Sequence, residues 1–149
     1  MSLISDCTDT PIQGFRGEYS FLSNFAPCEI IYEDFWYSST EHAYVAAKTL
    51  DKNIRANISS IATPGAVKRF GRSMMIRDDW ISVRLDVMAE LIHLKFEQDE
   101  FRDKLLATGT SYIEETNTWG DVFWGVCRGK GENNLGKILM RERALQARK

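Results

Sequence analysis

The sequence predicts an α+β fold, mainly helical: a single compact domain with a few short strands. Three observations carry that expectation. Ile81, Leu85, Met88, Ile92 and Phe96 fall on one stripe at helical spacing. Helix-start residues stand where such stretches begin, with Thr63-Pro64 and Asp79 the clearest. The β-branched and aromatic runs are short and are bounded by glycine or by a polar turn. A chain of 149 residues is long enough for one domain with a proper core.

Composition narrows the function classes. Hydrophobic residues make up 44% and charged residues 27%, ordinary for a globular protein. A net charge of -2 supplies no overall basic field for a nucleic-acid backbone. Cys7, Cys28 and Cys127 form no C-x-x-C pair, which argues for reduced thiols in the cytoplasm. His42 and His93 lie far apart in sequence, so no metal site is expected. No signal peptide and no apolar run near membrane-spanning length is read, so no membrane is expected as a partner.

Taken in order, residues 1–11 are expected to be a loosely held terminus, leaving residues 12–149 as the domain. Ile12 to Phe25 reads as a short strand and a tight loop broken by Gly14 and Gly17. Within it Asn24 lies between apolar neighbours, where it either braces its own loop or recognises a ligand. Glu29 to Tyr37 reads as a hairpin turning at Glu33-Asp34. Ser38 then stands three residues before Glu41, the spacing of a capping box, and a first helix is expected to run to about Leu50. On that helix Glu41 and Lys48 are seven residues apart, nearly two turns, and share a face. A carboxylate and an amine so placed can perform acid/base or imine chemistry. The plainer reading is a capping glutamate and a solvated lysine.

The next helix starts at Thr63-Pro64 and carries Lys68, Arg69 and Arg72, cations that can bind phosphate or face water. Gly71 is expected to weaken its end. Asp79 is expected to cap a core helix from Trp80 to about Phe96, and Trp80 either covers a pocket or completes the core. Asp99 is expected to cap a short helix that Gly109 ends. Tyr112 to Glu115 reads as a short strand. Asp121 then sits among aromatic residues, including Trp124, where a carboxylate is paired, raised in pKa or functional. The run from Gly129 to Gly136 resembles a glycine-rich loop entering a helix, a candidate phosphate seat of backbone N–H groups. It contains no G-K-[ST] and does not match G-x-G-x-x-G. A last helix presents Leu135, Ile138, Leu139 and Glu142 on one face.

Four segments in this order, S-x-E-H-A-x-x-A-x-K, T-P-x-x-x-K-R-x-G-R, D-x-F-W-G and G-x-G-x-N-x-L-G, resemble the YbiA-like family, also called NADAR domains. The resemblance spans about Phe15 to Arg143. It implies an N-glycosidase acting on phosphoribosylamino-pyrimidine intermediates of riboflavin synthesis or removing ADP-ribose from guanine. It implies a nucleotide-like small molecule or ADP-ribosylated nucleic acid as partner, and no cofactor. By position it implicates Glu41, Lys48 and Asp121 in catalysis, and Trp80, Trp124, Gly131 and Asn133 in the site. To these the residues themselves add Asn24, Arg72 and Gly129 as substrate contacts. After D-x-F-W-G this chain reads V-C-R-G-K-G, where the family often has more glycine.

Both implied substrate classes join ribose C1 to an exocyclic amine. Such a glycosylamine can open to an imine and exchange with a lysine that is neutral part of the time. The rival route is direct hydrolysis through an oxocarbenium-like state, with two carboxylates and no lysine. The runner-up function is an ADP-ribose-binding module without turnover. A spatial expectation follows from either chemistry: Asp121 should stand with Glu41 around one ribose.

Overall fold

The computed structural model describes residues 10–149; residues 1–9, most of the segment expected to be loosely held, lie outside the described residues. The fold is α+β and mainly helical, with six α-helices, a 3₁₀ helix and short strands among the described residues. It divides into two compact units, residues 24–95 and residues 10–23 with 96–149.

The unit of residues 24–95 opens with a hairpin of β2 (Pro27–Tyr32) and β3 (Phe35–Ser39), antiparallel with Tyr32 opposite Phe35. Its turn is Glu33-Asp34, as the sequence indicates, and both residues adopt positive φ, 45° and 78°. Two such residues match the right-handed twist of the flanking strands. The chain enters α1 (Thr40–Ala47) directly from β3. The cap is Ser39, one residue later than expected: its hydroxyl accepts the His42 N–H at 3.1 Å. Glu41 therefore does not occupy the third helical position that a capping box requires. His42 takes that place, with its ring against Ser39 Oγ at 2.6 Å and the Ile61 carbonyl at 2.8 Å. A carbonyl only accepts, so the neutral ring carries its proton on Nε2 and takes the Ser39 hydroxyl proton at Nδ1.

Helix α1 also ends sooner than expected, at Ala47, and a separate helix α2 (Lys52–Ser59) follows under an Asp51 cap. Asp51 Oδ1 accepts from Asn53 N and Ile54 N, at 2.8 and 3.1 Å. Helix α3 (Pro64–Arg72) starts as expected, with Thr63 Oγ1 accepting from Ala66 N. Gly71 has a packing role: a Cβ there would lie 3.0 Å from Val45 Cγ1, so glycine lets α3 close onto α1. Helix α4 (Trp80–Phe96) is the core helix, but its buried face differs from the stripe read in sequence. Ile81 and Leu85 are 71% and 45% exposed, while Trp80, Val87, Met88, Leu91, Ile92 and Lys95 are buried. The helix is apolar on too much of its circumference for spacing alone to choose the inner face.

In the other unit, β1 (Ile12–Gln13) pairs parallel with β4 (Ile113–Glu114). A 3₁₀ helix spans Gly17–Leu22, and Phe21 meets Phe96 edge-on at 6.3 Å. Helix α5 (Asp99–Ala107) has Gln98 at its cap position, with Asp99 in its first turn rather than before it. Strands β5 (Thr116–Asn117) and β6 (Val126–Cys127) pair parallel and bracket the loop that carries Asp121. Helix α6 (Asn134–Ala147) buries Leu135, Ile138, Leu139 and Glu142, the face read in sequence. Gln146 Nε2 donates to Glu142 Oε2 at 2.6 Å, which satisfies part of that buried carboxylate. No helix of the described residues is long and apolar enough to cross a membrane.

Candidate active site

Helix α1 holds the first group of candidate residues. Its entry is tied at Asn24, whose carbonyl accepts the Glu41 N–H at 3.0 Å. The Asn24 side chain reaches Met88 Sδ through Nδ2 at 3.8 Å, and its buried Oδ1 has no partner among the described residues. Two arginines hold the exit, where a helix leaves its last carbonyls unsatisfied. Arg55 Nε donates to the carbonyls of Ala46 and Thr49, at 3.1 and 2.8 Å, and Arg55 NH1 pairs with Glu33 at 2.6 Å. The Arg77 backbone N–H donates to the Lys48 carbonyl at 2.8 Å, and its guanidinium pairs with Asp79. Lys48 is thereby fixed at the C-cap of α1.

The Lys48 side chain lies over the ring of Tyr44, with Nζ 5.1 Å from the centroid. Tyr44 is met in turn by Trp80, edge to face at 5.2 Å. Trp80 is 6% exposed, so within this unit it backs the ring beneath the lysine. Burial pulls the Lys48 ammonium below the usual lysine range; the Glu41 carboxylate works against that shift and the Lys68 charge adds to it. A half-buried amine moved toward neutrality, with a carboxylate within electrostatic reach, is equipped for nucleophilic or proton-transfer chemistry. Of the three cations on α3, Lys68 is half-buried, with Nζ 5.9 Å from the Phe25 centroid, while Arg69 and Arg72 are exposed.

The second group lies on the loop between β5 and β6 and on the segment leading to α6. Asn117 fixes Asp121 at both backbone groups: its Oδ1 accepts the Asp121 N–H at 3.0 Å and its Nδ2 donates to the Asp121 carbonyl at 2.9 Å. Asp121 Oδ1 accepts from Phe123 N and Trp124 N, at 3.2 and 2.9 Å. The carboxylate is thus anchored by one oxygen, and Trp124 is half-buried against Phe123 at 4.8 Å.

The phosphate seat read at the start of α6 is corrected by the structure. The N–H groups of Glu132, Asn133, Asn134 and Leu135 donate to the carbonyls of Val122, Gly125, Phe123 and Trp124, at 2.8 to 3.2 Å. The D-V-F-W-G loop therefore occupies the amides that an anion would need. The Asn133 side chain is likewise committed: Oδ1 accepts from Glu115 N at 2.9 Å, and Nδ2 donates to the Ile113 carbonyl at 2.9 Å and Tyr112 OH at 3.1 Å. Gly129 and Gly131 are exposed, with φ of 78° and 149°.

Several residues that build these groups escaped the sequence reading. Arg55, Arg77 and Asn117 act on backbone groups that only the fold brings near them. Ser39 carried a local signal, an N-cap type before a helix. Among the described residues no group of three or more His, Cys, Asp or Glu is arranged to hold a metal ion.

These two groups lie in segments that define a class of protein. The family profile described as the NADAR domain matches residues 13–145, and the chain belongs to that family. It is 38% identical over 127 residues to N-glycosidase YbiA of Escherichia coli (strain K12), covering 83% of this chain and 79% of that protein. It is 36% identical over 129 residues to N-glycosidase Npun_R5314 of Nostoc punctiforme, covering 82% of each. It is 32% identical over 142 residues to the riboflavin biosynthesis protein VVA0006 of Vibrio vulnificus, covering 91% of this chain but 38% of that longer one. The fold matches the NMR structure of the Escherichia coli protein YbiA with a TM-score of 0.81 at 34% identity, covering 93% of this chain and 86% of that one.

Proposed function

We propose that this chain cleaves the bond between ribose C1 and an exocyclic amine on a flat heterocycle, through a Schiff base on Lys48. As a member of a family whose relatives are N-glycosidases, it is a hydrolase of N-glycosyl compounds. The finer reading rests on one observation: Lys48, half-buried on the Tyr44 ring and drawn toward its neutral form, shares α1 with Glu41. A lysine kept as a full ammonium in water would be a poor nucleophile.

On this route the ribose opens as Glu41 protonates the ring oxygen and the exocyclic nitrogen forms a C1=N iminium. The neutral Lys48 amine adds to C1. A proton passes from Nζ to the departing nitrogen, the C1–N bond breaks, and the electron pair leaves with the heterocyclic amine. Water adds to the Lys48 imine, the C1–Nζ bond breaks, and ribose and neutral Lys48 are restored, with the released proton returned to Glu41. We assign Asp121 to activation of that water or to the ribose hydroxyls. Asn24 and Trp124 are assigned to the sugar and base, and Gly129 and Gly131, whose N–H groups are not among those that donate to the D-V-F-W-G loop, to the phosphate in place of the occupied start of α6. Asn133 is assigned to holding the loop.

The substrates in view are phosphoribosylamino-pyrimidines and ADP-ribosylated guanine. The name of the Vibrio vulnificus relative supports the first and the motif resemblance both. We place the reaction in the cytoplasm, where Cys28 and Cys127 would stay reduced. Incubating the purified chain with an ADP-ribosylated guanine oligonucleotide and, separately, with a phosphoribosylamino-pyrimidine tests the reading. Release of the free amine from at least one is expected. A folded sample that turns over neither contradicts it. Tight binding that survives Glu41→Gln, with no product from the unsubstituted chain, moves the assignment to a binding module.

A further inference from the structure

Strands β5 and β6 run parallel, and Asn117 opposite Cys127 is their last pair. Each strand passes from that pair into a tight turn, so both turns leave the same end of the ladder. After Asn117 come Thr118, Trp119 and Gly120, all exposed, with Gly120 at φ 85°. The Asn117 side chain closes this turn at its base by bonding both backbone groups of Asp121. Trp119, near its tip, is 63% exposed, the most exposed of the four tryptophans. After Cys127 come Arg128 and Gly129, with φ of 52° and 78°. Cys127 N–H donates to the Lys130 carbonyl at 2.8 Å and Lys130 N–H to the Cys127 carbonyl at 3.1 Å, which closes a two-residue hairpin turn. Arg128 and Lys130 are both exposed, and Arg128 NH1 donates to Cys127 Sγ at 3.8 Å. Neighbouring strands lie about 4.8 Å apart, so the backbones of the two turns stand within roughly 10 Å of each other.

We propose that this end of the ladder binds single-stranded nucleic acid beside the nucleotide being cleaved: Trp119 stacks on an unpaired base while Arg128 and Lys130 meet the flanking phosphates. This rests on the N-glycosidase reading and gives one of its two substrate classes a surface of its own, two residues along the chain from Asp121. An open indole on a turn held by hydrogen bonds offers stacking area with little left to order on binding. Cations beside an aromatic platform are the combination that a single strand requires. Charge then separates single strand from duplex. Asp121 and Glu132 lie on the same segment and balance Arg128 and Lys130, so the surface lacks the basic field on which duplex backbone binding depends. Stacking therefore carries the affinity, and stacking needs bases that are not already paired.

The fluorescence anisotropy of a short, labelled, unmodified oligothymidine at low salt measures this binding without turnover, so a failed Schiff-base reading leaves the result standing. Trp119→Ala is expected to weaken binding about 5- to 100-fold, the range of one lost stack, and Trp119→Phe to keep most of it. Arg128→Gln and Lys130→Gln should each flatten the dependence of log Kd on log salt by about 0.7. A duplex of the same length should bind more weakly than the strand. Turnover of a phosphoribosylamino-pyrimidine should be unchanged in Trp119→Ala, whose melting temperature confirms that it is folded. A folded Trp119→Ala protein that binds the strand as well as the parent overturns the proposal. So does a preference for the duplex, or a parent chain that does not bind the strand. If Trp119→Ala slows the pyrimidine substrate as much as an ADP-ribosylated guanine oligonucleotide, the indole belongs to the small-molecule site and the proposal also falls.

Discussion

The α1 helix and the 117–136 segment solve opposite problems. On α1 the backbone is satisfied from outside, by Asn24 at one end and by Arg55 and Arg77 at the other. That support fixes the backbone from which Glu41 and Lys48 project. On the 117–136 segment the functional candidates brace the backbone themselves. Asp121 caps its own loop, Asn133 ties three groups together, and the amides at the start of α6 bind the carbonyls before it. The difference separates residues that α1 presents from residues that shape their own loop. Substitutions on α1 should therefore separate activity from stability, and those on the loop should not.

The largest effect expected is on rate. Glu41→Gln should lower kcat by roughly 10²- to 10⁴-fold, the range of a lost general acid, with a melting temperature close to that of the unsubstituted chain. A parallel fall in stability would place Glu41 with the bracing residues. Next comes Gly125→Ala on the loop. A Cβ there would collide with the Glu115 carbonyl and the Asn117 amide, so this change should cost about 3 kcal/mol or more in urea unfolding. A Gly125→Ala variant as stable as the parent would show that the loop has room the structure denies it.

A third prediction compares the two lysines that burial perturbs in residues 24–95. Lys95 is fully buried, and burial pulls its ammonium from the ordinary 10.5 down to about 8, against the favourable influence of Cys28. Between those values the unfolded chain binds more protons than the folded one, so stability rises with pH from about 8 toward 10.5. The Lys95 contribution should approach about 3 kcal/mol, offset in part above pH 9 by the raised Cys28 thiol, and Lys95→Met should reduce the rise to the smaller one left by Lys48. Measurements should stop near pH 10, because Tyr37 is raised to about 12 and contributes a fall in stability above the normal tyrosine range. A flat profile in the parent chain would contradict the assignment. The smallest effect is at the cap: Ser39→Ala should cost about 1 kcal/mol, whereas Ser38→Ala should cost less, reversing what the S-x-x-E spacing implies.

Much of this arrangement was legible in the chain. The hairpin turn at Glu33-Asp34, the Thr63-Pro64 helix start and the inner face of α6 follow from local chemistry that the fold does not override. The misses have physical causes. Ser38 and Ser39 are both N-cap types, and the strand register that chooses between them is a tertiary property. Lys95 carries no local signal of burial, because only packing puts it on the buried face of α4. The phosphate seat looked open because the carbonyls that fill it come from the preceding loop. Arg72 and Lys68 are indistinguishable as letters; the Gly71 contact fixes which way α3 turns.

The central claim is that Lys48 forms a covalent bond to the sugar. Borohydride added during turnover reduces an imine to a stable amine and locks the sugar to the protein. Peptide mapping should then find a ribose-derived mass on Lys48, and Lys48→Ala should abolish both the adduct and turnover. Turnover that leaves no adduct, or an adduct that persists in Lys48→Ala, would contradict the account.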